Sequence, residues 1–239
     1  MKTLVVIPTY NEAENLPVLF DALFALQLPE LELLVVDDNS PDGTADLAHK
    51  LGEERKGGVH VLRRAQKEGL GPAYVAGFEE ALRLGAETVV QMDADMSHPP
   101  EVLPDLLNAL DRYDVVVASR YMPGGGASED WGALRRVISL GGDIYVRLVT
   151  GLKIKDAKSG FKAYRRESLE ALPLRSIRSR GYIFQAEVLF LCQRLGLSMG
   201  EVPYTFEQRA AGYSKLSLGI MVEGLWRAIQ MRLRRFKTG

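Results

Sequence analysis

The sequence is poor in features that mark secreted, membrane-spanning and nucleic-acid-binding proteins. It holds one cysteine, Cys192, in 239 residues, so an internal disulfide framework is excluded and a reducing cytoplasm is the expected compartment. No run approaches the ~20 apolar residues that a membrane span requires, and no signal-peptide pattern opens the chain. Lys and Arg number 30 against 31 for Asp and Glu. This balance disfavours recognition of nucleic acid by a broad positive field.

A glycine-rich phosphate loop is also missing. Neither G-x-G-x-x-G nor G-x-x-x-x-G-K-[ST] follows a predicted strand. This removes the usual physical basis of a dinucleotide dehydrogenase or a P-loop NTPase. Any bound phosphate therefore needs another source of positive charge.

The residues that are present indicate one α/β domain. Hydrophobic residues make up 46% of the chain, enough for a full core. Short β-branched runs alternate with longer helical patterns, as in a mostly parallel sheet with crossover helices. We predict that Asn11 caps the first helix, with Glu14 in capping-box spacing. The predicted strands span 3–7, 31–37, 59–62, 88–93 and 115–119, and the predicted helices span 12–26, 44–51, 72–84 and 100–110.

The second half of the chain has a different rhythm. A glycine-rich loop at 123–126 leads into an amphipathic helical pattern at 134–150. No repeat or low-complexity linker interrupts the chain. We therefore expect a catalytic domain over 1–215, followed by an amphipathic basic helix within 216–239.

This last helix carries an apolar stripe beside several cations. The stripe comprises Leu218, Val222, Leu225, Ile229, Leu233 and Phe236, and the polar side includes Arg227, Arg232, Arg234, Arg235 and Lys237. Together with Trp226, the pattern is typical of a helix that lies in a membrane interface. The alternatives are that the stripe packs on its own domain, on a second copy or on a membrane partner.

Acidic residues follow two predicted strands. Ligands of doubly wound sheets bind at the carboxyl ends of the strands. Asp37 and Asp38 end the second strand, and such adjacent carboxylates repel unless hydrogen-bond donors approach them. The hydroxyl groups of a nucleoside are suitable donors, while a solvated turn is the alternative.

Asp93 and Asp95 follow the fourth strand. Extended residues at i and i+2 point to one side, so both carboxylates are predicted to converge on a cation. Carboxylates suit Mg²⁺ or Mn²⁺, which would neutralise a diphosphate leaving group. Helix caps or a solvated turn are the alternatives. His98 is either a further nitrogen ligand or a loop-packing histidine.

Two loops supply cations. The segment 63–71 is basic and enters a helix, whose N-terminus attracts anions. Arg209 and Lys215 flank Gly212 in a segment suited to close over a polyphosphate. Solvated loops are the alternative in both places.

In this order, the motifs resemble the family-2 glycosyltransferases of the GT-A fold, and among them the dolichol-phosphate (polyprenol-phosphate) mannose synthases. The resemblance covers the chain from residue 3 to about 216. It rests on VIPTYNE at 6–12, VDDNSPDGT at 36–44, GLG at 69–71, MDADMSHPP at 92–100, SRY at 119–121, SGF at 159–161 and RAAGYSKL at 209–216.

The resemblance implies a role for each matching position. Asp93 and Asp95 would hold Mg²⁺ or Mn²⁺, and Arg209 and Lys215 would close on the diphosphate. The nucleotide pocket would comprise Pro8, Tyr10, Glu12, Asp38, Lys67 and Asp93. The acceptor phosphate would be bound by Arg120, Arg135 and Ser139, and the catalytic set would comprise Asp95, Arg120, Arg135, Arg209 and Lys215. Arg135 and Ser139 share one helix face, whereas Arg136 is the more solvated neighbour.

The implied reaction is the inverting, metal-dependent transfer of mannose from GDP-mannose to a polyprenyl monophosphate. The acceptor is already ionised, so no general base is needed. A UDP-glucose donor, or a sugar hydroxyl acceptor with Asp130 as base, is the alternative within the same class. A non-catalytic nucleotide-sugar binding module is the alternative of another class. Some relatives carry an amide where Ser97 stands, so His98 or water would replace it near the metal. Unlike many relatives, the chain has no membrane-spanning segments, and we expect a peripheral protein on the cytoplasmic membrane face.

Overall fold

The computed structural model describes residues 1–55, 58–128, 132–207 and 218–233. Its helices are α1 (Leu16–Ala25), α2 (Thr44–Glu54), α3 (Leu70–Arg83), α4 (Leu103–Ala109), α5 (Ala133–Thr150), α6 (Arg166–Ala171), α7 (Phe184–Arg194) and α8 (Leu218–Leu233), with 3₁₀ turns at Pro100–Val102 and Leu174–Ser176. Its strands are β1 (Thr3–Thr9), β2 (Leu31–Asp37), β3 (Val59–Arg63), β4 (Thr88–Gln91), β5 (Val115–Ser119), β6 (Gly126–Ala127), β7 (Lys162–Arg165), β8 (Met199–Pro203) and β9 (Thr205–Phe206).

A mostly parallel sheet forms the centre of the fold. Its strand order is β3-β2-β1-β4-β7-β5-β8, and only β7 runs antiparallel to its neighbours. Apolar side chains are buried on both faces of β1, since Val6 joins the core under α3 and Val5 joins the core under α1. This arrangement confirms the predicted α/β class and places helices on both faces of the sheet.

The first helix begins later than predicted. It starts at Leu16 with Asn15 as its capping residue, whereas Asn11 adopts a left-handed conformation with a φ of 61°. The prediction was wrong because the amides of residues 11–13 bond to the loop after β2 and to the first residue of α2. The Asn11 amide donates to Ser40 Oγ at 3.0 Å, and the Glu12 amide donates to Thr44 Oγ1 at 3.0 Å.

Other boundaries also differ. The predicted strand 88–93 ends at Gln91, and β7 was not predicted. The predicted helix 100–110 divides into the 3₁₀ turn and α4, where Pro104 lies in the first turn. Proline lacks the amide hydrogen that a continuous helix requires, so a new helix begins there.

The terminal helix α8 packs beside α5. Tyr145 Oη donates to the backbone oxygen of Leu225 at 3.1 Å, and Ala228 and Met231 are buried. The predicted stripe faces outward where it is described: Leu225 is 48% exposed, Ile229 37% and Leu233 76%. Side chains 218–223 and residues 234–239, including Arg234, Arg235, Phe236 and Lys237, lie outside the described residues. Within the described ranges, no helix has the length and apolar character needed to cross a bilayer.

Candidate active site at the carboxyl ends of the strands

The loops after β1 and β2 are tied together by Asp37. Its Oδ1 accepts hydrogen bonds from Thr9 Oγ1 at 2.9 Å and from Ser40 Oγ at 2.6 Å, and its Oδ2 accepts from the Ser40 amide at 2.9 Å. These donors belong to the chain itself. Asp37 therefore holds the loops in place, and its position does not support the prediction that it awaits a ligand.

Asp38 lies beside Arg64, which donates a short hydrogen bond to its carboxylate. Burial raises the pKa of Asp38, and the Arg64 guanidinium opposes that rise. Nearby, Lys67 Nζ lies 3.5 Å from the centroid of the Tyr10 ring, a cation–π contact. The Asp38 amide also donates to Thr9 O at 3.0 Å. Asp38 is thus held beside the end of β1, where Tyr10 and Lys67 meet.

The other two residues predicted for the nucleotide pocket lie on the same side of the sheet. Pro8 is half-buried within β1. Glu12 follows in the loop, where its Oε2 accepts a hydrogen bond from Asn15 Nδ2 at 2.7 Å. The Glu12 amide is also bonded to Thr44, so the Glu12 carboxylate is held near the end of β1.

Asp93 is held from two sides. Tyr74 Oη donates to its Oδ1 at 2.7 Å, and the Asp93 amide donates to His98 Nδ1 at 3.0 Å. Burial raises the pKa of Tyr74 well above its usual range, so the hydroxyl keeps its proton and remains a donor. The second oxygen, Oδ2, lies 3.4 Å from where a Cβ on Gly160 would be.

Asp95 is held by its own loop. Its Oδ1 accepts from Ser97 Oγ at 2.6 Å and from the Ser97 amide at 3.2 Å. The strand expected to carry Asp93 and Asp95 does not reach the pair, because β4 ends at Gln91. Ser97 orients the Asp95 carboxylate through these two hydrogen bonds.

His98 is a packing residue in this structure. Its ring is buried and stacks on Phe161 at 5.2 Å with an interplanar angle of 16°. Burial lowers the pKa of His98, which fits a neutral ring whose Nδ1 accepts from Asp93. These contacts favour the loop-packing alternative over a metal ligand.

Asp93 and Asp95 present oxygen atoms that suit a hard divalent cation. On each carboxylate, a hydroxyl donor fixes one oxygen, which limits rotation of the group. Within the described residues, no group of three His, Cys, Asp or Glu side chains gathers around a metal position. Two carboxylates fit Mg²⁺ or Mn²⁺, because such ions complete their shell with water and substrate phosphates.

A second cluster surrounds Arg120, which follows β5. Its Nε and Nη2 each donate to Asp156 at 2.7 Å, and its backbone amide donates to the same carboxylate at 3.0 Å. Burial disfavours the charged guanidinium, but the bonds to Asp156 outweigh it and raise the pKa of Arg120. The two hydrogen bonds to Asp156 therefore hold the planar Arg120 guanidinium in place as a fixed positive charge.

Arg120 lines a cavity of about 280 Å³ beside α5. Tyr121 Oη and Ser139 Oγ lie 3.3 Å apart there, so the structure brings Arg120 and Ser139 to one cavity as predicted. The other lining residues are Gly126, Ala127, Arg136, Val137 and Leu140. Arg136 is exposed, as predicted, yet it also lines this cavity, and it donates to Ser128 O at 2.9 Å. The Arg135 side chain lies outside the described residues.

A family model described as "Glycosyl transferase family 2" matches residues 4–172, well over half of the chain. The chain belongs to glycosyl transferase family 2. It is 46% identical over 225 residues to the undecaprenyl-phosphate mannosyltransferase of Micrococcus luteus, covering 94% of this chain and 91% of the relative. It is 43% identical to the polyprenol monophosphomannose synthase of Mycolicibacterium smegmatis, covering 98% and 88%.

Solved structures share the fold of this glycosyltransferase at low identity. The glucosyl-3-phosphoglycerate synthase of Mycobacterium tuberculosis, crystallised with Mn²⁺, UDP and glucosyl-3-phosphoglycerate, matches with a TM-score of 0.69 and 22% identity over 97% of this chain and 79% of that one. The mannosyl-3-phosphoglycerate synthase of Rubrobacter xylanophilus matches with a TM-score of 0.69 and 21% identity over 98% and 74%. At this identity they establish the GT-A fold alone.

Sequence reasoning missed four side chains of the candidate site. They are Tyr74 beside Asp93, and Asp143, Asp156 and Lys158 around Arg120. One signal was available for Asp143, since it lies four residues after Ser139 and thus on the same face of α5. The other three approach the site from distant parts of the chain. Arg209, Lys215 and Asp130 fall outside the described residues, so their predicted roles stay predictions.

Proposed function

We propose that this glycosyltransferase moves mannose from GDP-mannose to a polyprenyl monophosphate with inversion at the anomeric carbon. The observation that carries the proposal is the identity of 46% and 43% to two polyprenyl-phosphate mannosyltransferases, each along nearly its whole length. The second support is the cavity that Arg120 and Ser139 line, which has basic and hydroxyl groups suited to a phosphate monoester.

The acceptor would be oriented by the cluster around Arg120. Asp156 fixes the guanidinium plane, so the positive charge of Arg120 is held in one position beside the cavity. Arg135, one helical turn before Ser139, would add a second cation. A phosphate oxygen is ionised near neutral pH, so it would attack the anomeric carbon without a general base. Catalysis would then come from positioning and charge stabilisation.

The donor would lie at the ends of β1, β2 and β4. Pro8, Tyr10, Asp38 and Lys67 are proposed to line the nucleoside and Glu12 to border it. Asp93 and Asp95 are proposed to hold Mg²⁺ or Mn²⁺. A divalent cation bound there would supply positive charge to the departing diphosphate. Arg209 and Lys215 are proposed to approach the same diphosphate from the segment that leads into α8.

The test is a donor panel with purified protein, Mn²⁺ or Mg²⁺, and a short polyprenyl phosphate. We expect lipid-linked mannose from GDP-mannose and little product from UDP-glucose. Preference for UDP-glucose would instead support the polyprenyl-phosphate glucosyltransferase alternative. If no donor yields product while nucleotide sugar still binds, the protein is a binding module.

A second experiment tests the acceptor. A sugar hydroxyl acceptor would require a general base. Loss of turnover in Asp130→Asn with unchanged donor binding would favour such an acceptor.

We further propose that the protein is peripheral on the cytoplasmic membrane face. Large apolar side chains are exposed along α5 and α8, including Val137 and Leu148 on α5 and Trp226 on α8. Val137 also lines the cavity proposed for the acceptor phosphate. An apolar surface that starts at this cavity suits an acceptor whose lipid chain stays in the bilayer. A membrane-protein partner on α8 is the alternative.

A further inference from the structure

Lys158 places a cation beside the proposed acceptor site. Its Nζ lies 3.0 Å from the backbone oxygen of Ser139 and 3.3 Å from Asp143 Oδ2. The same Asp143 oxygen accepts a hydrogen bond from Tyr121 Oη at 3.2 Å and lies 3.9 Å from Arg120 Nη2. The ammonium of Lys158, the phenol of Tyr121 and the guanidinium of Arg120 therefore all lie next to one buried oxygen of Asp143, close to Ser139.

The cluster holds two cations, Arg120 and Lys158, and two carboxylates, Asp143 and Asp156, so its charges balance. The two cations differ in how freely their side chains can move. Arg120 is held by two bonds to Asp156, and its side chain is 9% exposed. Lys158 is 25% exposed, and its partner Asp143 is 1% exposed. A lysine side chain is flexible and carries three donors around a point charge, so it turns toward a new anion more readily than a clamped guanidinium does.

A glycine in α5 makes room for this ammonium. A Cβ built on Gly142 would lie 2.7 Å from Lys158 Nζ, closer than such contacts occur. A Cβ on the preceding residue, Gly141, would meet no atom within 4 Å. Glycine is unfavourable inside a helix. Because Gly142 has no side chain, the Lys158 ammonium can lie against the helix at this position.

We propose that Lys158 binds the acceptor phosphate together with Arg120 and Ser139. This inference rests on the proposed function, because it assigns a residue to the same acceptor. On binding, the ammonium turns from Asp143 to a phosphate oxygen, and the Asp143 carboxylate stays with Tyr121 and Arg120. Lys158 thus supplies the mobile positive charge, and Arg120 supplies the fixed one.

The first test removes the charge. In Lys158→Gln, we expect the KM for farnesyl phosphate to rise about 10- to 100-fold, the loss that follows when one charge-assisted hydrogen bond is removed. The KM for GDP-mannose should stay unchanged, and the melting temperature should fall, because the buried Asp143 carboxylate loses its ammonium partner. The matched control is Lys153→Gln, which removes the same charge from an exposed lysine in the same loop and should leave every parameter unchanged.

The second test moves the ammonium without removing it. In Gly142→Ala the new methyl group displaces Lys158 Nζ, so the KM for farnesyl phosphate should rise at least about 5-fold, part of the loss in Lys158→Gln. Alanine is the better helix former, so the melting temperature should hold or rise. Gly141→Ala gives the same gain in helix propensity with no displaced atom, and its KM should match the wild type.

The outcomes separate the two proposals. If the wild-type protein neither binds farnesyl phosphate by calorimetry nor glycosylates any prenyl phosphate, the proposed function fails and this inference fails with it. If the wild type uses farnesyl phosphate but Lys158→Gln and Gly142→Ala keep its KM, the inference alone is overturned. An equal rise in the KM for donor and acceptor would assign Lys158 a structural role and also overturn the inference.

Discussion

Two tyrosines, Tyr74 and Tyr164, are buried in one core cluster and contact the same aromatic ring, Phe78. Tyr74 Oη donates to Asp93 at 2.7 Å, whereas Tyr164 Oη donates to Gln91 at 3.0 Å. Their hydroxyl groups therefore have similar surroundings but donate to different side chains. Only the first partner is a carboxylate proposed to hold a metal.

This difference gives a prediction for Tyr74→Phe. Removing either hydroxyl group should lower the free energy of unfolding by about 1 kcal/mol, the usual value for one hydrogen bond. In Tyr74→Phe alone, the affinity for Mn²⁺ with GDP should also fall about 10-fold, because the tyrosine no longer orients Asp93. Calorimetry and urea unfolding measure the two effects. An equal change of Mn²⁺ affinity in Tyr164→Phe would contradict the assignment.

Asp95 gives a second prediction at this scale. Asp95→Asn should reduce kcat by at least about 100-fold, the cost of losing one contact that stabilises developing charge. Binding of GDP should also lose its dependence on Mn²⁺, as measured by calorimetry with and without the ion. Asp105→Asn removes the same charge from the first turn of α4 and serves as control. Unchanged Mn²⁺ dependence in Asp95→Asn would refute a metal-binding role.

Among the elements, α5 and α8 differ most from an ordinary surface helix. Leu148 on α5 is 79% exposed and Leu233 on α8 is 76% exposed. Exposed apolar residues are normal singly, but those on two adjacent helices mark an interaction surface. The helix α8 packs on its own domain through Ala228 and Met231, which lie outside the predicted stripe, and the described stripe residues stay exposed.

The prediction for this surface concerns binding to phosphatidylglycerol vesicles. The pair Leu148→Gln and Leu233→Gln should lower the vesicle partition coefficient at least about 10-fold, since each leucine contributes about 1.5–3 kcal/mol when fully buried. Turnover of farnesyl phosphate in detergent should not change. Val18→Gln, on exposed Val18 of α1, is the matched control. If neither the pair nor the wild type floats with vesicles, the membrane proposal is wrong.

In the core of the molecule, Lys162 is a fully buried charge. It lies on β7 in the middle of the sheet, and its Nζ donates to Gln185 Oε1 at 2.6 Å. Burial lowers the pKa of Lys162 to about 7, although Cys192, Asp156 and Asp93 favour the charged form. The unfolded chain keeps its proton up to a pKa near 10.4.

Lys162 should therefore make stability depend on pH. Between about pH 7 and pH 10 the unfolded state binds more protons, so wild-type stability rises with pH. We expect the free energy of unfolding to rise by about 1 kcal/mol per pH unit relative to Lys162→Met, which has no proton to lose. Urea unfolding at pH 7, 8 and 9 measures it. Lys153→Met should show the same dependence of unfolding free energy on pH as the wild type. If Lys162→Met also shows that dependence, the lowered pKa of Lys162 is disproved.

The class of the fold and the positions of most strands could be predicted from the sequence. The periodicity of apolar residues is a local property, so it located β1, β2, β3 and β5 and the helices between them. Asp38, Asp93 and Asp95 could be predicted to share a candidate site because parallel strands end at one edge. The ordered motifs also identified the family, which the match over 4–172 confirms.

Which distant side chains meet at that edge could be seen only in the folded chain. Asn11 does not cap α1, because amides in its loop bond to residues after β2. The short strand β7 brings Lys162 into the sheet, a charge that local patterns assign to a surface. Lys158 reaches Ser139 because Gly142 has no side chain to block it. Hydrogen bonds and close contacts between residues far apart in the chain leave no local periodicity, so these positions needed the folded chain.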